Sequence, residues 1–139
     1  QAMMSVNAFK GVEVGAGFAS SAAFGSELHD EILFENDKIT RSRNNAGGIE
    51  GGMSNAQPIH VKVSMKPIST LIKPLRSIDL NTMEPKLAHK ERTDSCAVPA
   101  ASIIGESMLA IVLADALLEK FGGDSIKQLK KHIESSGRY

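Results

Sequence analysis

One long apolar segment, residues 98–121, constrains the fold of this chain more than any other feature of its sequence. Pro99 suits the first turn of a helix, where its missing N–H is not needed, and the Gly-Gly pair after the segment ends the helix. At 1.5 Å per residue the helix would be about 36 Å long. Because apolar residues occur almost all round it, we expect burial on most sides. Glu106 and Asp115 interrupt the apolar run, so a membrane span is not expected.

The residues before this helix are rich in glycine and β-forming residues. Residues 59–65 alternate strictly between apolar and polar side chains, which predicts a strand, and shorter strands are predicted at 12–14 and 87–92. Asn36-Asp37 between apolar flanks predicts a hairpin over 32–40. We also predict a short helix within 18–24 and an amphipathic helix from 124 or 125, with Ile126, Leu129 and Ile133 on one face. These elements predict an α+β fold with antiparallel sheet packed on a long buried helix.

The charge balance and cysteine count exclude several classes of protein. The 139 residues include 16 Lys+Arg and 16 Asp+Glu, so the chain lacks the basic surplus of a nucleic-acid binder. A single cysteine, Cys96, and no visible secretory signal favour a reducing, cytoplasmic location. No metal site is expected, because the adjacent residues His29, Asp30 and Glu31 cannot easily converge on one ion. We interpret that triplet as a solvated loop.

Two segments have the composition of a ligand-binding loop. Residues 44–52 contain four glycines, which allow a positive φ and close approach of a ligand to the backbone. A simple turn leading into the next strand explains them as well, and composition favours that alternative. Residues 66–70 place a cation and two hydroxyls after the predicted strand, a common place for a phosphate or a polar ring edge. Here Pro67 could equally end the strand and Ser69 or Thr70 cap a turn.

Arg92 and Asp94 form a candidate catalytic pair. Two residues apart on an extended segment, they face the same way, so the guanidinium could bind an oxyanion beside a carboxylate base. By its pattern alone, an Arg-x-Asp pair is more often a surface ion pair. Their position just before the apolar helix favours a functional role, because a helix N-terminus attracts negative charge. The near-match to a dinucleotide-binding motif at residues 15–20 is weak, since no repeated βαβ pattern follows.

Four segments, taken in order, closely resemble the C-terminal part of the chorismate synthase family. They are residues 5–15 (SVNAFKGVEVG), 44–52 (NNAGGIEGG), 66–70 (KPIST) and 92–101 (RTDSCAVPAA). The resemblance extends over essentially the whole chain. It implies the family's β-α-β sandwich, of which residues 1–139 would be the C-terminal portion of a single domain.

The resemblance also implies a function. Members of the family are lyases that convert 5-enolpyruvylshikimate-3-phosphate to chorismate by 1,4-elimination of phosphate, with reduced FMN required and NADPH associated with the activity. Asp94 matches the acid that handles a proton at the flavin N5, and Arg92 matches an arginine near the substrate phosphate. A non-catalytic flavin- or nucleotide-binding module is the alternative. The positions implied to bind FMN are Asn7, Ala8, Gly51, Lys66, Pro67, Ile68, Ser69, Thr70 and Arg92.

Family members are much longer than this chain. The two catalytic histidines and several phosphate-binding arginines of the family have no match here, so we expect a fragment that does not turn over substrate alone. The family usually assembles as a homotetramer, and the resemblance implies no contact with nucleic acid or membrane. Loss of the remaining part of the domain would expose apolar surface, so we expect the chain to self-associate.

Overall fold

The computed structural model describes residues 1–90 and 96–137, and they divide into two compact units. One unit contains residues 8–66, and the other contains residues 1–7 together with those from 67 onward. The helices are α1 (Ala2–Ser5), α2 (Gly25–Leu28), α3 (Val98–Phe121) and α4 (Ile126–Ser135), with a 3₁₀ helix at Gly17–Ala22. The strands are β1 (Phe9–Val14), β2 (Ile32–Glu35), β3 (Lys38–Arg41), β4 (Ile49–Glu50), β5 (Met53–Ser54), β6 (Val61–Met65), β7 (Arg76–Ile78) and β8 (Pro85–Leu87).

The strands of the described residues pair as four two-stranded antiparallel sheets, each confined to one unit. In the 8–66 unit, β1 pairs with β6, and an irregular register between Phe9 and Gly11 marks a bulge at the start of β1. Phe9 is buried and forms the core of this unit. The strand predicted at 59–65 is confirmed at Val61–Met65, and the one predicted at 12–14 extends back to Phe9.

The predicted hairpin over 32–40 is confirmed as the pair β2–β3. Asn36 and Asp37 have φ values of 52° and 59°, as a two-residue turn of type I′ requires. Both residue types tolerate this left-handed conformation better than most, which is why the pair is a turn signal. The short helix predicted within 18–24 is a 3₁₀ helix, Gly17–Ala22.

In the other unit, α3 has the predicted bounds, Val98–Phe121, with proline in its first turn. The predicted burial of this helix is wrong for the described structure. Its only buried residues in the described part of the chain are the small ones Ala101 and Gly105, whereas Ile103 and Ile111 are each 62% exposed. The reason is a shortage of covering surface. The α1 helix that packs on α3 is one turn long, and few of the other described residues in this unit are apolar and buried.

By length and composition alone, α3 is also the one helix among the described residues that could cross a membrane. A single such helix is weak evidence, because the core helix of a soluble protein has the same length and composition. Two charged residues within this helix, Glu106 and Asp115, are unfavourable in a membrane span.

The remaining elements of this unit match the sequence less completely. The helix predicted from 124 or 125 is confirmed as α4, and Ser125 caps it by accepting a hydrogen bond from the Gln128 backbone N–H. Of the predicted apolar face only Leu129 is buried. The strand predicted to begin at Leu87 instead ends there, and its last two residues, 91–92, lie outside the described ranges. Helices and small antiparallel sheets together confirm the α+β class.

Candidate functional site

Two of the predicted FMN-binding residues meet where β1 begins and β6 ends. The carbonyl of Ala8 accepts a 2.7 Å hydrogen bond from the backbone N–H of Lys66. Antiparallel pairing explains the contact, because the register brings Phe9 opposite Met65 and so places their outer neighbours together. Residues 58 positions apart in sequence therefore share one strand end.

Ala8 has a φ of 68°, a left-handed conformation that is unfavourable for a residue with a side chain. It sits beside the bulge at the start of β1 rather than in a hairpin turn. Such strain persists only where the surrounding structure holds it, and it concentrates at functional sites. The Lys66 side chain next to it is exposed and is free of any ion pair among the described residues. An exposed cation at a strained strand end suits an anionic ligand.

The other predicted FMN-binding residues are placed less tightly. Asn7 is exposed in the turn after α1, and residues 67–70 continue from β6 without regular structure. Pro67, Ile68 and Ser69 are exposed, whereas Thr70 is half-buried and has an interaction of its own. Asn7 and residues 67–70 belong to one unit, and Ala8, Gly51 and Lys66 belong to the other.

The glycine-rich segment consists of two different structures. Its first part, the packed turn (residues 44–48), lies against Gly15, and its glycines are buried. Gly47 has a φ of 66°, and a Cβ there would overlap the Gly15 backbone nitrogen. The second part is the open turn (Gly51 and Gly52), which joins β4 to β5 with φ values of 57° and 79° and nothing within 4 Å of a Cβ at either residue. The segment is both a structural turn and a bare backbone surface that a flat ligand could approach.

The Asp30 side chain holds the packed turn through hydrogen bonds to its backbone. Its two carboxylate oxygens accept the backbone N–H groups of Asn45 and Ala46 at 2.8 and 2.9 Å. Within the turn, the side chain of Asn44 accepts the Gly48 N–H at 2.8 Å and donates to the Pro58 carbonyl. The expectation of a solvated loop at residues 29–31 is therefore wrong for Asp30, which is half-buried and satisfies two backbone donors.

Arg41 and Glu50 connect the open turn to the β2–β3 hairpin. The Arg41 guanidinium contacts both oxygens of Glu50, at 2.8 and 3.3 Å, and also donates to the Asp30 carbonyl at 3.4 Å. Asn55 donates to the same carboxylate at 2.8 Å. No pattern in the sequence predicts this cluster, because Arg41 and Glu50 are nine residues apart and lie in two different hairpins.

A cavity of about 600 Å³ lies in the 8–66 unit between the two turns and the helical segment before β2. Asp30 and Asn45 line it on one side, and Glu50 and Gly51 line it on another. The predicted FMN-binding residues Ala8 and Lys66 are not among its described lining residues. The structure thus brings Ala8 and Lys66 together, and it places Gly51 on a separate cavity.

The predicted catalytic pair lies outside the described residues. Arg92 and Asp94 fall in the gap between residues 90 and 96, and their roles stay predictions. Among the described residues, no group of three histidine, cysteine or acidic side chains could hold a metal ion.

Its helices and small antiparallel sheets place the chain in the α+β class of proteins. The sequence model of chorismate synthase matches residues 1–118. Chorismate synthase from Aquifex aeolicus is 59% identical over 135 residues, and that from Geotalea uraniireducens is 52% identical over 142 residues. A crystal structure of chorismate synthase superposes with a TM-score of 0.72 at 47% identity. The chain belongs to the chorismate synthase family.

The chain covers only part of these relatives. The alignments include 96% of this chain but 34% of the Aquifex protein and 36% of the Geotalea protein. The solved structure is covered to 33%, by 98% of this chain. The chain therefore spans about a third of the length of the relatives it matches.

Proposed function

We propose that this chain is the C-terminal portion of a single chorismate synthase domain. The complete enzyme would convert 5-enolpyruvylshikimate-3-phosphate to chorismate by 1,4-elimination of phosphate. Membership of the family over residues 1–118 supports this activity, since it includes all four of the motif segments. The observation on which the proposal chiefly rests is the Ala8–Lys66 hydrogen bond, which joins two of those segments at one strand end.

The residues present fit reduced FMN as the cofactor. The open turn carries no side chain that would keep a flat ring from its backbone, and Lys66 supplies a cation for a phosphate. Asn7, Ala8, Gly51 and residues 66–70 would hold the cofactor together with Arg92. When bound, reduced FMN would supply the electron density that assists departure of the phosphate. Lysine charge and serine or threonine hydroxyls are the usual partners of a cofactor phosphate.

Arg92 and Asp94 would carry the chemistry that this chain contributes. The Arg92 guanidinium would offset the charge of the leaving phosphate through paired N–H groups. The Asp94 carboxylate would take and return a proton at the flavin N5, a role that needs a group ionised at neutral pH. The NADPH associated with the family would act as the source of reducing equivalents for FMN.

The properties of the whole protein follow from the same proposal. A soluble, cytoplasmic homotetramer is the assembly that the family resemblance implies, and α3 would then be a core helix rather than a membrane span. The apolar side chains that α3 exposes, such as Ile103 and Ile111, favour self-association of this chain. By itself the chain would not form chorismate, because the family's two catalytic histidines have no match among its residues.

Replacement of Asp94 by asparagine in the complete enzyme tests the proposal. We expect FMN affinity within about twofold of wild type and turnover lower by about 10²-fold or more, the usual contribution of a general acid or base. FMN binding is measured by fluorescence titration and turnover by chorismate formation under anaerobic conditions. Asp37→Asn is the matched control, since this exposed turn residue undergoes the same chemical change.

Three outcomes would contradict the proposal. Unchanged turnover in Asp94→Asn would remove the proton-handling role. A fall in the unfolding midpoint with turnover intact would support a structural Arg92–Asp94 ion pair instead. FMN binding without any chorismate formation by the wild-type enzyme would favour the non-catalytic flavin-binding module.

A further inference from the structure

The hairpin that carries the open turn is too short to be stable by itself. Strands β4 and β5 have two residues each, and a two-stranded hairpin is marginal even at normal strand length. Its turn residues Gly51 and Gly52 have no side chains with which to pack. The position of the turn must therefore depend on contacts at the base of the hairpin.

Glu50 provides that connection at the base. It precedes Gly51 directly, and one of its oxygens accepts from the side chain of Asn55, the residue that follows β5. The Asn55 backbone N–H donates to the Gly48 carbonyl at 3.0 Å, so the outgoing end of the hairpin is tied to the packed turn. Both ends of the hairpin thus meet at one carboxylate.

Arg41 extends the connection to a larger element. It lies at the end of β3, which forms four residue pairs with β2, and its side chain is only 16% exposed. Its guanidinium contacts both Glu50 oxygens and the Asp30 carbonyl. A two-point guanidinium–carboxylate contact fixes orientation as well as distance, which a lysine could not do.

We propose that Arg41 and Glu50 are positioning residues. They hold the open turn in the position and orientation in which its backbone contacts FMN. This inference rests on the proposed function, because it takes Gly51 as a cofactor contact. Neither side chain touches the cofactor in this account. Their effect reaches it through the backbone of Gly51, and small displacements of such contacts have large effects on affinity and rate.

Single and double substitutions in the complete enzyme test the inference. We expect Arg41→Gln and Glu50→Gln each to weaken FMN binding about tenfold, with a smaller change in the KM for 5-enolpyruvylshikimate-3-phosphate. Because the two side chains act as one unit, the double variant should bind FMN no more weakly than either single variant. Glu50→Asp keeps the charge but shortens the side chain, and it should give an intermediate FMN affinity.

Lys86→Gln is the matched control. It removes an ion pair of similar length, 3.0 Å to Asp79, across the β7–β8 hairpin of the other unit. We expect this variant to bind FMN as wild type does. If a glutamine variant fails to fold, amide hydrogen exchange of Glu50→Asp decides the question, with faster exchange expected at residues 51–53 and unchanged exchange in β1 and β6.

The readouts separate failure of this inference from failure of the proposed function. Wild-type FMN affinity in both single variants, or additive losses in the double variant, would overturn the positioning role even if chorismate is formed. FMN titration does not depend on turnover, so a wild-type enzyme that binds FMN and forms no chorismate overturns the function alone. A wild-type enzyme that binds no FMN overturns both.

Discussion

The packed turn and the open turn contain the same residue type for opposite reasons. In the packed turn, Gly47 is needed because its neighbour Gly15 occupies the space of a Cβ and because its φ is positive. In the open turn, Gly51 also has a positive φ, yet the space around its Cβ position is empty. Four glycines in one short segment therefore divide into a pair that packs backbone on backbone and a pair that leaves backbone exposed.

This difference shows how a glycine-rich segment can be both scaffold and binding surface. The packed turn is held by the Asp30 carboxylate and by the Asn44 side chain, so its backbone donors are satisfied inside the protein. A Cβ at the open turn would meet no other part of the chain, so a ligand can approach its backbone there. The first turn supplies rigidity a few residues from the place where the second supplies access.

Alanine at the two positions should give the largest contrast. We expect Gly47→Ala to lower the free energy of unfolding by ~3 kcal/mol or more, since backbone strain adds to overlap with Gly15. Gly51→Ala should lower it by only ~1 kcal/mol, the penalty for a left-handed alanine, while weakening FMN binding. Urea unfolding and FMN titration measure the two effects. Equal destabilisation by both substitutions would contradict the distinction between the turns.

Substitution of Asp30 should destabilise the packed turn less than Gly47→Ala does. We expect Asp30→Ala to destabilise the protein by ~2 kcal/mol, because it leaves the Asn45 and Ala46 N–H groups without their charged acceptor. Asp30→Asn should recover part of this loss, since an amide offers only one oxygen. Glu31→Ala changes the exposed neighbouring residue and serves as the control. A loss no larger than that of the control would show that water replaces the carboxylate without penalty.

The sequence predicted best the elements that are marked by turn and cap residues. Asn36-Asp37 predicted a hairpin turn, and proline and the following glycines predicted the bounds of α3, because turn and cap chemistry involve neighbouring residues. The burial of α3 was not predictable, since it depends on which surfaces the rest of the chain brings to it. Apolar side chains all round a helix show only that the helix could be buried. Most of those on α3 are exposed in this structure.

The candidate site was predictable only in part for a similar reason. The resemblance identified Ala8 and Lys66 individually, and antiparallel register explains why they meet. Nothing in the sequence marked Arg41 as the partner of Glu50, because the contact joins two hairpins rather than two positions on one element. Asp30 was misread since its neighbours are polar, although its carboxylate turns inward to backbone donors.

The smallest expected effect concerns Glu13, which lies two residues before Gly15 and connects β1 to β6 and to the 3₁₀ helix. Its carboxylate accepts from Lys62 at 2.8 Å and from the Phe18 backbone N–H at 3.3 Å. The hydrogen bond from Lys62, then the one from Phe18, and then the lysine charge lower the pKa of Glu13 below its ordinary value. A lowered pKa in the folded state means that the carboxylate stabilises the fold above about pH 5 and loses this effect as pH falls toward the folded pKa.

Glu13→Gln should therefore lower the thermal midpoint slightly near pH 7. Between about pH 5 and pH 3 its midpoint should fall less steeply with decreasing pH than that of wild type. Both partners are partly exposed, so added salt should reduce the difference between variant and wild type. Thermal midpoints measured from pH 7 to pH 3 at low and high salt test this, with Glu35→Gln on the exposed β2–β3 hairpin as control. If stability falls with pH as steeply in Glu13→Gln as in wild type, the contacts of this carboxylate with Lys62 and Phe18 do not contribute to the acid dependence of stability.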